Sequence, residues 1–152
     1  MNESLPEFWS FSRNRDASEI CSKLITWKGP YSWPGYEEIN RCDPIPNLSG
    51  VYLLTFEHED GFLLRSIGIT NSIKTRFRKH TLEYNRGKYT ILDMNFVTKG
   101  LRKELWHGWG FAEKNRDLFL KHQEEIWKYT QKELGSYRVF LENPKTKGYV
   151  NG

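Results

Sequence analysis

Arg76 and His80 stand four residues apart in Lys74-Thr75-Arg76-Phe77-Arg78-Lys79-His80. On a helix that spacing puts them on one face, with Ser72 on the same face a turn earlier. Five of the seven positions are basic or can become so, with Lys74, Arg78 and Lys79 surrounding the pair. A planar guanidinium fits phosphate oxygens, and an imidazole with an intrinsic pKa of about 6.5 can move a proton or carry a charge. Upstream lie Tyr52, at the start of one apolar run, and Gly68, near the end of the next. A basic cluster of this kind permits a polyanionic partner. A solvated basic helix face is the other reading of Arg76 and His80 taken alone.

These residues need elements to hold them. Val51-Tyr52-Leu53-Leu54-Thr55-Phe56 and Phe62-Leu63-Leu64-Arg65-Ser66-Ile67-Gly68-Ile69 are rich in strand formers, and the Asp60-Gly61 pair between them is a hairpin signal. Ser72 or Asn71 caps a helix running to about Tyr84, with Ile73, Phe77 and Tyr84 as its apolar stripe and Asn85-Arg86-Gly87 as its stop. Tyr89 to Met94 reads as a strand or an extended loop. Residues 98–114 read as a glycine-broken loop pinned by Trp106 and Trp109. A long helix is expected from Asn115 to Leu134, ended by Gly135, and then a strand over Tyr137-Arg138-Val139-Phe140-Leu141 before a polar tail. Residues 1–46 read as an N-terminal arm packing on the core. It holds a short helix between Ser10 and Leu24 capped by Asp16, and is then punctuated by proline and glycine. The order predicts an α+β fold in which a hairpin and one later strand form a small, mainly antiparallel sheet flanked by helices.

Composition sets the class. The 152 residues suit one domain, and 6 Trp, 8 Tyr and 9 Phe supply the area for a core. The net charge of +4 permits a polyanionic partner without requiring one. Neither a membrane span nor a signal-peptide pattern is visible, so a cytoplasmic protein with Cys21 and Cys42 reduced is expected. No CxxC or HExxH spacing points to zinc.

Taken in order, Gly50-Val51-Tyr52, Ser66-Ile67-Gly68, Thr70, Ile73, Arg76 and His80 resemble the GIY-YIG nuclease family. Trp106-His107-Gly108 resembles a bacterial branch of it. The resemblance covers residues 47–84 well and extends to Leu141, making 47–152 a GIY-YIG-like domain. It implies a DNA endonuclease that hydrolyses phosphodiester bonds with Mg²⁺ or Mn²⁺. Tyr52 would position or deprotonate the attacking water, Arg76 would clamp the phosphate, and His80 would assist proton transfer or hold the scissile phosphate. Lys74, Arg78, Lys79, Arg102 and Lys103 would contact the DNA backbone. Ser66 stands where the family has its second tyrosine.

The family also places a metal-binding Glu on a helix after a third strand. With Tyr137–Leu141 as that strand, the chain runs eleven residues on to Gly152, and that helix is expected to be absent. The metal ligand is thus unassigned. Glu124 and Glu125 are expected on the solvent side of their helix, because Leu118, Phe119, Leu120, Ile126, Trp127, Tyr129 and Leu134 define the apolar arc. Glu142 is a weaker candidate. Two other readings follow. One is a catalytically incomplete module of the same fold that binds nucleic acid or protein. The other is part of a larger site, completed by a C-terminal segment, a partner or a second copy. Trp106 and Trp109 read as buried indoles, with base stacking as the alternative.

Overall fold

The computed structural model of the chain describes residues 25–142. The expected helix between Ser10 and Leu24, Cys21 and the polar tail after Asn143 lie outside the described residues. The fold is α+β. A hairpin of β3 (Gly50–His58) and β4 (Gly61–Thr70) joins β7 (Tyr137–Glu142), which pairs antiparallel with β3. Beyond β7 lie β1 (Lys28–Ser32) and β2 (Asp43–Pro44), giving the order β2-β1-β7-β3-β4. Only the β1–β2 pair is parallel. The sheet thus has two more strands than the hairpin-plus-one expectation, and both come from the segment before residue 46.

That segment also supplies the centre of the core. Trp33 is fully buried, stacked on Tyr137 at 5.2 Å between ring centroids and tilted against Phe77 at 4.7 Å. Its indole N–H donates to Thr81 Oγ1 at 2.9 Å. The short α1 (Glu37–Asn40) follows, and Asn40 ties it to Ser32 Oγ and to the Gly135 carbonyl. Burying these rings and satisfying their polar atoms is what fixes the stretch from β1 to β2 against the sheet.

The hairpin turn sits one residue earlier than Asp60-Gly61 suggests. His58 pairs with Gly61, Glu59 takes the left-handed conformation (φ 50°), and Gly61 begins β4. Tyr52, Leu54 and Phe56 alternate onto the buried face of β3. Over them lies α2 (Ile73–Asn85), whose stripe of Ile73, Phe77 and Tyr84 is buried as its spacing predicts. Its cap is Ser72, whose hydroxyl accepts from the Thr75 N–H at 3.3 Å.

The next stretch is more structured than a loop. β5 (Ile91–Leu92) and β6 (Glu104–Trp106) form a two-stranded sheet, with α3 (Met94–Val97) between them and α4 (Trp109–Lys114) after. The long helix is two: α5 (Arg116–Lys121) and α6 (Gln123–Ser136), broken at His122, with Gly135 inside α6. The break rotates the expected arc apart. Phe119, Ile126 and Leu134 are buried, while Leu118, Leu120 and Trp127 are exposed. The other face of the sheet carries exposed Ile67 and Ile69 on β4. Among the described residues, no helix is long and apolar enough to cross a membrane.

Candidate active site

Tyr52 lies between two neighbours that fix it. Across the ladder it pairs with Gly68, and a β-carbon on residue 68 would overlap the phenol. From above, the Phe77 ring contacts it edge-on at 5.3 Å. The ring is thereby aimed at α2, where its hydroxyl meets His80 Nε2 at 3.1 Å. The other imidazole nitrogen, Nδ1, meets the Tyr89 hydroxyl at 3.0 Å. One imidazole is thus held between two phenols.

Electrostatics define the protonation state. Burial is the main cause that lowers the His80 pKa to about 4, with help from the Arg76 and Lys79 charges and against the pull of Glu83. Neutral at pH 7, His80 has one donor and one acceptor nitrogen. Burial raises the Tyr52 phenol, and the Arg76 charge pulls it partly back. Tyr89 is raised by burial as well. Arg76 therefore acts on both Tyr52 and His80, and its Nη2 is docked on the Ile69 carbonyl at 3.1 Å. Beside it opens a cleft of about 420 Å³ lined by Ile69, Thr70, Asn71, Ser72, Thr75, Arg76 and Lys79. Of the three sequence-predicted site residues, Arg76 alone lines that cleft, and a larger cleft of about 910 Å³, bordered by α3, α6 and Phe56, holds none of them.

The basic run does not form one surface. Arg76 and Lys79 line the cleft beside β4. Lys74 and Arg78 lie on another side of α2, rimming a largely apolar depression with Pro34, Ile45, Ile73 and Leu82. Arg102 is bound to Glu104 at 2.6 Å, and the Lys103 ammonium sits over the Phe96 ring at 4.7 Å. Ser66 is exposed on β4, two residues before Gly68 and opposite Leu54.

Carboxylates are sparse here. Glu124 and Glu125 are exposed on α6, on the solvent side as expected. Glu142 pairs with Val51, so it projects from the sheet face opposite Tyr52. Glu83, whose field reaches His80 and Tyr89, is engaged by Lys88 at 3.3 Å and Arg86 at 4.0 Å. Among the described residues, no three His, Cys, Asp or Glu side chains converge as metal ligands. A divalent ion held mainly by water and substrate phosphate needs one or two carboxylates, and the carboxylate coupled to His80, Glu83, is already engaged by two cations, a poor donor set for a resident ion.

Tyr89 escapes sequence reasoning because nothing in its spacing relates it to His80. It arrives through the reversal at Gly87 (φ 70°), whose N–H bonds to the Tyr84 carbonyl. The two indoles also part company. Trp106 is buried and donates to the Gly87 carbonyl, whereas Trp109 is 70% exposed. No family model matches the chain, and neither does any curated protein or solved structure.

Proposed function

We propose that this chain is a GIY-YIG-type domain that binds DNA at the Arg76 cleft and hydrolyses a phosphodiester there. The observation that carries the reading is the Tyr52–His80–Tyr89 relay under the field of Arg76. Arg76 meets the charge that gathers on the phosphoryl oxygens as water attacks phosphorus. The Tyr52 hydroxyl positions that water and takes its proton as the phenol's own proton passes to His80 Nε2, while the P–O bond to the leaving sugar oxygen breaks and that oxygen takes a proton from solvent. In the tautomer with hydrogen on Nδ1, Tyr89 accepts from His80, and Nε2 is open to Tyr52. Of the two roles open to His80, proton transfer is favoured, because a neutral imidazole brings no charge to hold a phosphate.

The test is cleavage of supercoiled plasmid by the parent, Tyr52→Phe and Arg76→Ala, with Mg²⁺, Mn²⁺ or EDTA in the buffer. Nicking by the parent, reduced about 10²-fold or more in Arg76→Ala, is the expected outcome. Unchanged nicking in that variant would sink the assignment. A folded parent that never nicks, yet binds DNA with a steep salt dependence, would leave a binding module in place of a nuclease.

A further inference from the structure

Trp109 is the unexplained residue of this region. It is bulky, 70% exposed, and holds a left-handed backbone conformation (φ 57°) that such side chains enter only at a cost. The surroundings enforce that conformation. Gly108 sits so close to the backbone of Lys88, Tyr89 and Thr90 that no β-carbon fits there. The Trp109 N–H donates to the Lys88 carbonyl at 2.8 Å. The indole is thus presented outward with the Tyr89 ring beside it, 5.4 Å between centroids. Tyr89 is the phenol that holds His80 Nδ1, so Trp109 is two ring contacts from His80. Trp106, three residues earlier, shows the ordinary fate of an indole, buried with its N–H bonded.

We infer that Trp109 is a stacking platform for an unpaired nucleobase flanking the phosphate held at Arg76, an inference that rests on the nucleic-acid reading above. An exposed ring backed by another ring offers a free π-face, and every base has one to match it. The cationic cleft lined by Arg76 and Lys79 takes the backbone, and Trp109, linked to His80 through the Tyr89 ring, takes a flanking base. The contact favours single-stranded or locally opened substrate, because a base within a duplex already has both faces stacked.

The experiment measures equilibrium binding, in EDTA, of a labelled oligothymidylate and of an abasic oligomer with the same number of phosphates. The parent is compared with Trp109→Asn, which tolerates the left-handed backbone, and with Trp109→Phe, which keeps a ring. The parent should prefer the base-bearing oligomer by about 5- to 150-fold. Trp109→Asn should bind it no better than the abasic one, and Trp109→Phe should recover most of the preference. If Trp109→Asn keeps the parent's preference, the platform is wrong, while salt-dependent binding weakened by Arg76→Ala would still support the nucleic-acid reading. A folded parent that binds neither oligomer overturns both.

Discussion

The ring of Tyr52 and the backbone of Gly68 face each other across the β3–β4 ladder with no room for a methyl group between them. Gly68 is therefore what lets the phenol lie low against the sheet and reach His80. Gly68→Ala must push the ring toward Phe77, which is already in contact. Overpacking of this kind costs about 1–3 kcal/mol. The expected result is a lower urea midpoint of that size, with nicking reduced to the level of Tyr52→Phe. Full activity in a stable Gly68→Ala protein would show that the Tyr52–His80 contact is dispensable.

His80 makes stability depend on pH in a defined direction. Its pKa is lowered from 6.5 to about 4 by folding, chiefly through burial. Between those values the unfolded chain takes up a proton that the folded chain refuses, so stability is lost as pH falls through that window. Glu133 acts the other way, since burial raises its pKa and the folded state keeps a proton that the unfolded state releases. The difference between parent and His80→Gln isolates the histidine. Urea titrations from pH 7 to pH 4 should give a shallower loss of stability in the variant. Parallel curves would mean that His80 titrates normally in the folded protein.

How much of this was legible depends on the range of the interactions. The hairpin and α2 are local: alternation of Tyr52, Leu54 and Phe56, the Ser72 cap and the Ile73–Phe77–Tyr84 stripe suffice. β1 is a short run broken by proline, and it is a strand only because β7 lies beside it, over a hundred residues later. Trp33 reads as turn punctuation, yet it is the largest fully buried side chain among the described residues. The basic run of α2 reads as one patch because composition counts charges, while the helix separates Lys74 and Arg78 from Arg76 and Lys79. Glu133 was legible in principle. With Ile126, Thr130 and Leu134 it shares the buried side of α6, at helical spacing. The exposed pair Glu124 and Glu125 draws attention away from it.

Glu133 is fully buried and has specific work. Oε1 accepts the Leu92 N–H at 2.8 Å, which anchors β5 to α6, and Oε2 accepts the Tyr137 hydroxyl at 3.3 Å. Tyr137 in turn meets the Tyr84 hydroxyl at 2.7 Å, and the Arg65 charge lies within reach of all three groups. Glu133→Ala removes the acceptor for two buried donors and the counter-charge of Arg65, whose Nε is itself buried. Loss of one member of such a set costs about 3–5 kcal/mol. Glu133→Gln keeps a carbonyl oxygen for Leu92 and, by rotation of the Tyr137 hydroxyl, a partner for that phenol. Its cost should be nearer about 1–2 kcal/mol. Urea denaturation of the two variants separates these values. Because Glu133 touches neither Tyr52 nor Arg76 in this arrangement, nicking per folded molecule should hold in Glu133→Gln. A Glu133→Gln protein as stable as the parent but inactive would instead place Glu133 in the chemistry, and the cluster would have to be read as part of the site.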